Sequence, residues 1–207
     1  MIRRGFVYLI IYLAAFFAAE LGETAFALHE IEHSVIRLHI PADSDSTADQ
    51  TAKLLVRDAL LAHAGEWIPA GADFAESCSA VRAHLPEIRQ TALSALQDAG
   101  CAASVRVSFG EMSFPERSYG SFTLPAGDYT ALRVEIGSGE GQNWWCVMYP
   151  ALCLPAASDC EPADILSAAA CDLTEHPDEY ELRLKCVDLF RTAVRRVTRK
   201  TETLRPA

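Results

Sequence analysis

The chain opens on an apolar stretch without periodicity, and regular spacing begins only after it. From Val35 to Ile40, apolar and β-branched residues alternate with Arg37 and His39, which predicts a first strand. Pro41 and the polar Asp43-Ser44-Asp45-Ser46 end it. Thr47 followed by Gln50 has capping-box spacing, so a helix is predicted from about residue 48 to His63, burying Ala52, Leu55, Val56 and Ala59. Phe74, Cys78, Val81, Leu85, Ile88 and Ala92 recur at steps of four and three along one helical face. Pro86 predicts a kink or restart there, and Gly100 a C-terminal cap.

After Gly100 the period changes to two. Val105, Val107 and Phe109 alternate with polar residues, as do Phe122 and Leu124, and Leu132, Val134 and Ile136. Pro125-Ala126-Gly127-Asp128 predicts a hairpin turn between the last two runs. Gly137 to Gly141 superficially resembles a phosphate cradle, but it lacks the lysine and the strand-to-helix context, so a hairpin connection into Trp144–Tyr149 is expected. Residues 154–179, rich in Ala, Asp, Ser and Pro, read as a linker or insertion. Tyr180, Leu182 and Leu184 suggest a returning strand, followed by a short helix from Asp188 to Lys200. The fold expected is α+β: strand, helix, helix, then an antiparallel set of strands packed on the helices as a two-layer sandwich.

Phe6 to Ala19 is unbroken apolar sequence, preceded by Arg3 and Arg4 and followed by the small-x-small triplet Ala25-Phe26-Ala27. That order is what a secretory signal peptide needs, so residues 1–27 are expected to be one, cleaved after Ala27. The alternative is an uncleaved anchor that tilts or draws in its flanks. Either way the remainder is exported, because Arg3 and Arg4 favour a cytoplasmic N-terminus.

The net charge of −10 gives no electrostatic reason to approach nucleic acid. The sign reverses locally at Arg191, Arg195, Arg196, Arg199 and Lys200. A solvated helix face is one reading of this run, and contact with anionic lipid headgroups is the sharper one. Seven cysteines in an exported chain permit disulfides but leave at least one thiol unpaired. Cys146 and Cys153 are expected to pair, because they are close in sequence and Pro150 between them favours a reversal. Two buried free thiols are the competing possibility. Without a C-x-x-C, thiol-redox and zinc-ribbon chemistry lose their usual motif.

His29-Glu30-Ile31-Glu32-His33 is an H-E-x-x-H, and His39 follows at the spacing of a third zinc ligand. An exported zinc peptidase using His29, Glu30, His33 and His39 is therefore the alternative function. Three features oppose it. Ile36 occupies the position where glycine must turn the backbone; Val35–Ile40 reads as strand; and cleavage after Ala27 would leave His29 second in the mature chain. Asp43, Asp45 and Asp49 fit an EF-hand poorly, since Thr47, Ala48 and Leu54 stand where the ligand, glycine and bidentate Glu belong. Helix capping explains the acidic residues better. A thiol enzyme built on Cys146, with His39 or His84 as base, is a third class, although a strand cysteine between Trp and Val is more often buried or paired.

Several blocks carry a family resemblance: Ile36-Arg37-Leu38-His39-Ile40, Asp43-Ser44-Asp45-Ser46, Asp49-Gln50, Lys53 and Val56-Arg57-Asp58-Ala59. The match resumes at Tyr119-Gly120, Leu124-Pro125-Ala126-Gly127 and Ala131-Leu132-Arg133-Val134. It is strongest from Gly139-Glu140-Gly141-Gln142-Asn143-Trp144-Trp145-Cys146 through Val147-Met148-Tyr149-Pro150 to Leu152-Cys153. In these blocks the chain resembles the stage II sporulation protein R family of endospore-forming bacteria. Pro41, Asp43 and Ala151 depart from the family pattern.

The resemblance implies a domain over residues 35–153 made in the forespore and secreted into the space between forespore and mother-cell membranes. There a membrane-embedded aspartic protease would sense it and process the pro-form of a mother-cell sigma factor. It implies a signalling protein rather than an enzyme, with no cofactor. Because adjacent strand residues point to opposite faces, Trp144 and Trp145 cannot both enter one core, and Asn143, Trp144 and Trp145 are the expected partner-binding residues; the competing reading is that both tryptophans are buried, the second beneath residues 156–177.

Overall fold

The computed structural model describes residues 2–119, 122–150 and 166–202. Its elements run α1 (Ile2–Glu32), β1 (Ile36–Pro41), α2 (Thr47–Trp67), α3 (Phe74–Ala83), α4 (Leu85–Asp98), β2 (Val105–Phe114), β3 (Arg117–Tyr119), β4 (Phe122–Leu124), β5 (Gly127–Ile136), β6 (Asn143–Tyr149), α5 (Ala168–Glu175) and α6 (Pro177–Glu202). The α+β class stands. The chain divides into two compact units, one of α1 up to Ile31, β3, β4, α5 and α6, the other of β1, α2–α4, β2, β5 and β6.

In the second unit the sheet order is β2-β5-β1-β6. It is mixed rather than antiparallel, because β1 runs parallel to β5 while β6 and β2 run antiparallel to their neighbours. Alternation sorts the sheet's residues. Ile36, Leu38, Ile40, Leu132, Val134, Ile136, Cys146 and Met148 share one core with Val56, Leu60, Val81, Ile88 and Leu96 of the helices. Pro86 lies in the first turn of α4, so the helical run breaks in two at residue 84. Gly100 takes φ +69° just past α4, where it closes the helix end with Cys101 N donating to the Leu96 carbonyl.

Four local expectations are corrected. The cap of α2 is Ser46, whose hydroxyl accepts from Asp49 N, one residue before the expected Thr47. Pro125–Asp128 does not join a hairpin: β4 pairs with β3 in a separate two-stranded sheet, and β5 pairs with β1 and β2. The 137–142 loop is no hairpin either, since β1 lies between β5 and β6. Tyr180–Leu184 is helical, not a strand: Pro177 starts α6 and Glu181 pairs with Lys185 one turn on. Three alternating positions are too few to separate a strand from one side of a helix.

The first unit is built around the end of α1. Thr24, Ala27, Leu28 and Ile31 are buried, and so are Leu124, Ala170, Leu173 and Val187 within the same unit. Glu30 accepts bonds from the backbone N and hydroxyl of Ser167, the N-cap of α5, each at 2.6 Å. Glu20 pairs with Arg183 of α6 at 2.7 Å. The expected linker over 154–179 thus contains α5 and the start of α6, and its residues 154–165 lie outside the described residues. The apolar part of α1 is exposed from Val7 to Phe17. Val7–Glu32 is long and apolar enough to cross a membrane.

Candidate functional site

The best-defined constellation lies along β6, the last strand in the order β2-β5-β1-β6 among the described residues. Register with β1 sets Trp144 opposite Ile40, Trp145 opposite His39 and Asn143 opposite Pro41. Strand alternation then divides the tryptophans. Trp144 packs against the core shared with the helices, and the Arg57 guanidinium of α2 lies 4.4 Å from its ring centroid.

Trp145 points to the other face and stacks on the His39 ring at 3.9 Å, nearly parallel, with Phe114 edge-on at 4.9 Å. Beneath them Arg37 is fully buried, its guanidinium 4.3 Å from the Phe114 ring and 4.9 Å from that of Tyr129. Both tryptophans are half-buried, and Asn143 is exposed.

His39 Nε2 lies 2.7 Å from Asn143 Oδ1. A carboxamide oxygen only accepts, so the ring carries its proton on Nε2. Burial pushes the His39 pKa down; the Asn143 bond opposes this and the nearby positive charge of Arg133 adds to it. The imidazole is therefore neutral near pH 7, and its Nε2 is committed to Asn143.

A second feature holds β6 in place. Asp43 accepts from Ser138 N at 2.7 Å while the Ser138 hydroxyl donates to the Asp43 carbonyl, and Asp45 accepts from Gln142 N at 2.7 Å. The bond from Ser138 N is the main cause holding the Asp43 carboxyl below its ordinary pKa. Lys53 donates to the Gln142 carbonyl and to Gln50, whose amide reaches the Ser44 carbonyl. A Cβ on Gly141 would come within 2.3 Å of the Ser44 carbonyl oxygen, so this close approach requires glycine. Asp43 and Asp45 therefore fasten the loop before β6 rather than capping α2.

The zinc constellation is not assembled. Glu30, the required general base, is bonded to Ser167, and His39 sits in a strand stacked on Trp145. His29, Glu32 and His33, at the end of α1, bring ligand atoms within 4.8 Å of one another. That trio replaces the motif's Glu30 with Glu32, whose carboxylate is also 3.4 Å from Asp128 N. Cys146 is half of a disulfide and cannot serve as a nucleophile; Cys153 lies outside the described residues.

Sequence reasoning placed His39, Asn143, Trp144 and Trp145 but missed Phe114, Arg57 and Lys53 as their neighbours. Gly110 interrupted the alternation that would have carried β2 on to Phe114. Arg57 and Lys53 were named only among the residues carrying the family resemblance, because a helical stripe says nothing about which strand end it overlies.

The sequence description of stage II sporulation protein R matches residues 32–159, which hold every element of this constellation. The chain belongs to the stage II sporulation protein R family. It is 39% identical over 123 residues to "Stage II sporulation protein R" of Bacillus subtilis (strain 168), a match covering 59% of this chain and 55% of that protein. The chain thus spans about half the length of that curated relative. No solved structure matches. The family's name supports a sporulation role; the matched residues take in the second unit with β3 and β4, whereas most of α1 and all of α5 and α6 lie outside them.

Proposed function

We propose that this chain is an exported, non-enzymatic activator in endospore formation. Acting from the space between forespore and mother-cell membranes, it contacts a membrane-embedded aspartic protease, which then processes a mother-cell sigma factor. The observation that carries this reading is the β6 constellation. It lies within the residues that match the family and presents Asn143, which is exposed, and Trp145, which is half-buried, on the face opposite the helices. A half-exposed tryptophan beside an exposed carboxamide is the kind of side-chain pair that anchors binding to another chain. We further propose that α1 is retained as an anchor, since its last turns are buried structure of the first unit.

The test is co-expression with the candidate protease and its sigma-factor substrate in a host lacking sporulation genes. Processing should depend on this chain. Trp145→Ala should remain folded, losing aromatic contacts of about 1 kcal/mol, and should abolish processing. Trp144→Ala should instead cost about 3 kcal/mol as a core truncation. If Trp145→Ala triggers processing normally, the contact surface lies elsewhere.

A further inference from the structure

We propose that α6 lies on the outer surface of the membrane that α1 enters, with one face seated in the interface of a bilayer rich in anionic lipid. The proposal rests on the retained-anchor reading of α1, and it starts from an ion pair. Glu20 is the first charged residue after the apolar run Phe6–Ala19, so it marks the level at which α1 would leave the hydrocarbon. Arg183, in the second turn of α6, holds that carboxylate at 2.7 Å. The first turns of α6 are thereby fixed at the boundary between apolar and polar surroundings.

From that point α6 has two apolar sides. Val187 is buried, with Tyr180, Arg183 and Leu184 half-buried beside it at helical spacing. Leu182, Leu189 and Ala193 fall on the opposite side, and Phe190 lies between that side and the buried one. Leu182, Leu189 and Phe190 are 68%, 70% and 71% exposed, too large a cluster of bulky apolar groups for a face that meets only water. Their surroundings point to the occupant. The chain as a whole carries −10, yet the second half of α6 holds Arg191, Arg195, Arg196, Arg199 and Lys200. Exposed leucine and phenylalanine flanked by arginine match an amphipathic helix lying among anionic headgroups. A water-exposed helix gains nothing from that apolar face.

The test uses the full chain in lipid nanodiscs of neutral phosphatidylcholine or of a phosphatidylcholine mixture rich in phosphatidylglycerol, with hydrogen exchange read by mass spectrometry. Amides of residues 186–196 should exchange roughly tenfold more slowly on the anionic discs. The variant carrying Leu189→Glu and Phe190→Glu should lose that protection while peptides from β1 and β5 exchange as in the parent, showing that the second unit is still folded. Equal exchange of α6 on both discs, or protection that survives the double substitution, overturns the proposal. Recovery on the discs reports separately on α1. A chain held by anionic but not neutral discs sinks the anchor and keeps α6 on the lipid. A chain held by both discs with unprotected α6 keeps the anchor and sinks the α6 proposal, and a chain held by neither sinks both.

Discussion

His39 links its burial to the acid stability of the domain. Burial lowers its pKa in the folded protein below the ordinary histidine value, so below about pH 6.5 the unfolded chain takes up a proton that the folded chain refuses. Stability from this group is therefore complete above that pH and is lost as pH falls toward the folded value. The melting temperature should drop between pH 7.5 and 5.5, and His39→Gln, which keeps a donor for Asn143, should flatten that drop. An equal drop in both proteins would show that other groups carry it. Gly141 gives a second test at this scale. Gly141→Ala forces a methyl against the Ser44 carbonyl, which should cost about 1–3 kcal/mol in chemical denaturation and displace the Trp144–Trp145 segment that follows.

Among the elements, α1 separates two outcomes. Its Ala25-Phe26-Ala27 triplet reads as a cleavage site, but Ala27 is buried in a continuous helix, and Glu20 and Thr24, which cleavage would remove, are bonded within the first unit. On the anchor proposal, the intact mass of the exported protein should include residues 1–27, and a mass lacking them would favour the signal peptide, with which the apolar helix is equally compatible. Helices α2 to α4 were legible as elements from their long apolar stripes, from Pro86 restarting the run and from Gly100 ending it, but the α2 stripe was misjudged: Leu55 is exposed, and Leu60, Ala64 and Trp67 are buried. Strand pairing was not. Alternation shows which face of a strand is buried but not which strand lies beside it, so a Pro-Ala-Gly-Asp turn suggested a hairpin where the chain leaves one sheet for another. The candidate site shared that limit: Trp145 and His39 were visible as residues, and their stacking depended on a register that sequence does not contain.

Over the whole molecule, cysteine chemistry should be uneven. Cys78, Cys101, Cys171 and Cys186 are free, and burial raises the thiol pKa of Cys78 and Cys171, so both should alkylate slowly in the native protein. Non-reducing peptide mapping should find Cys146 linked to Cys153, and a link to another cysteine would reassign the pair. The order of the strands carries a kinetic consequence. β1 is an inner strand, yet both of its neighbours are made much later: Ile36 pairs with Thr130, and His39 meets Asn143 across 104 positions of sequence. A chain that crosses a membrane behind a cytoplasmic N-terminus would deliver β1 before either of its partner strands. Such non-local closure is slow, so on the export proposed above the segment would stay extended, and able to thread, until β6 follows it across.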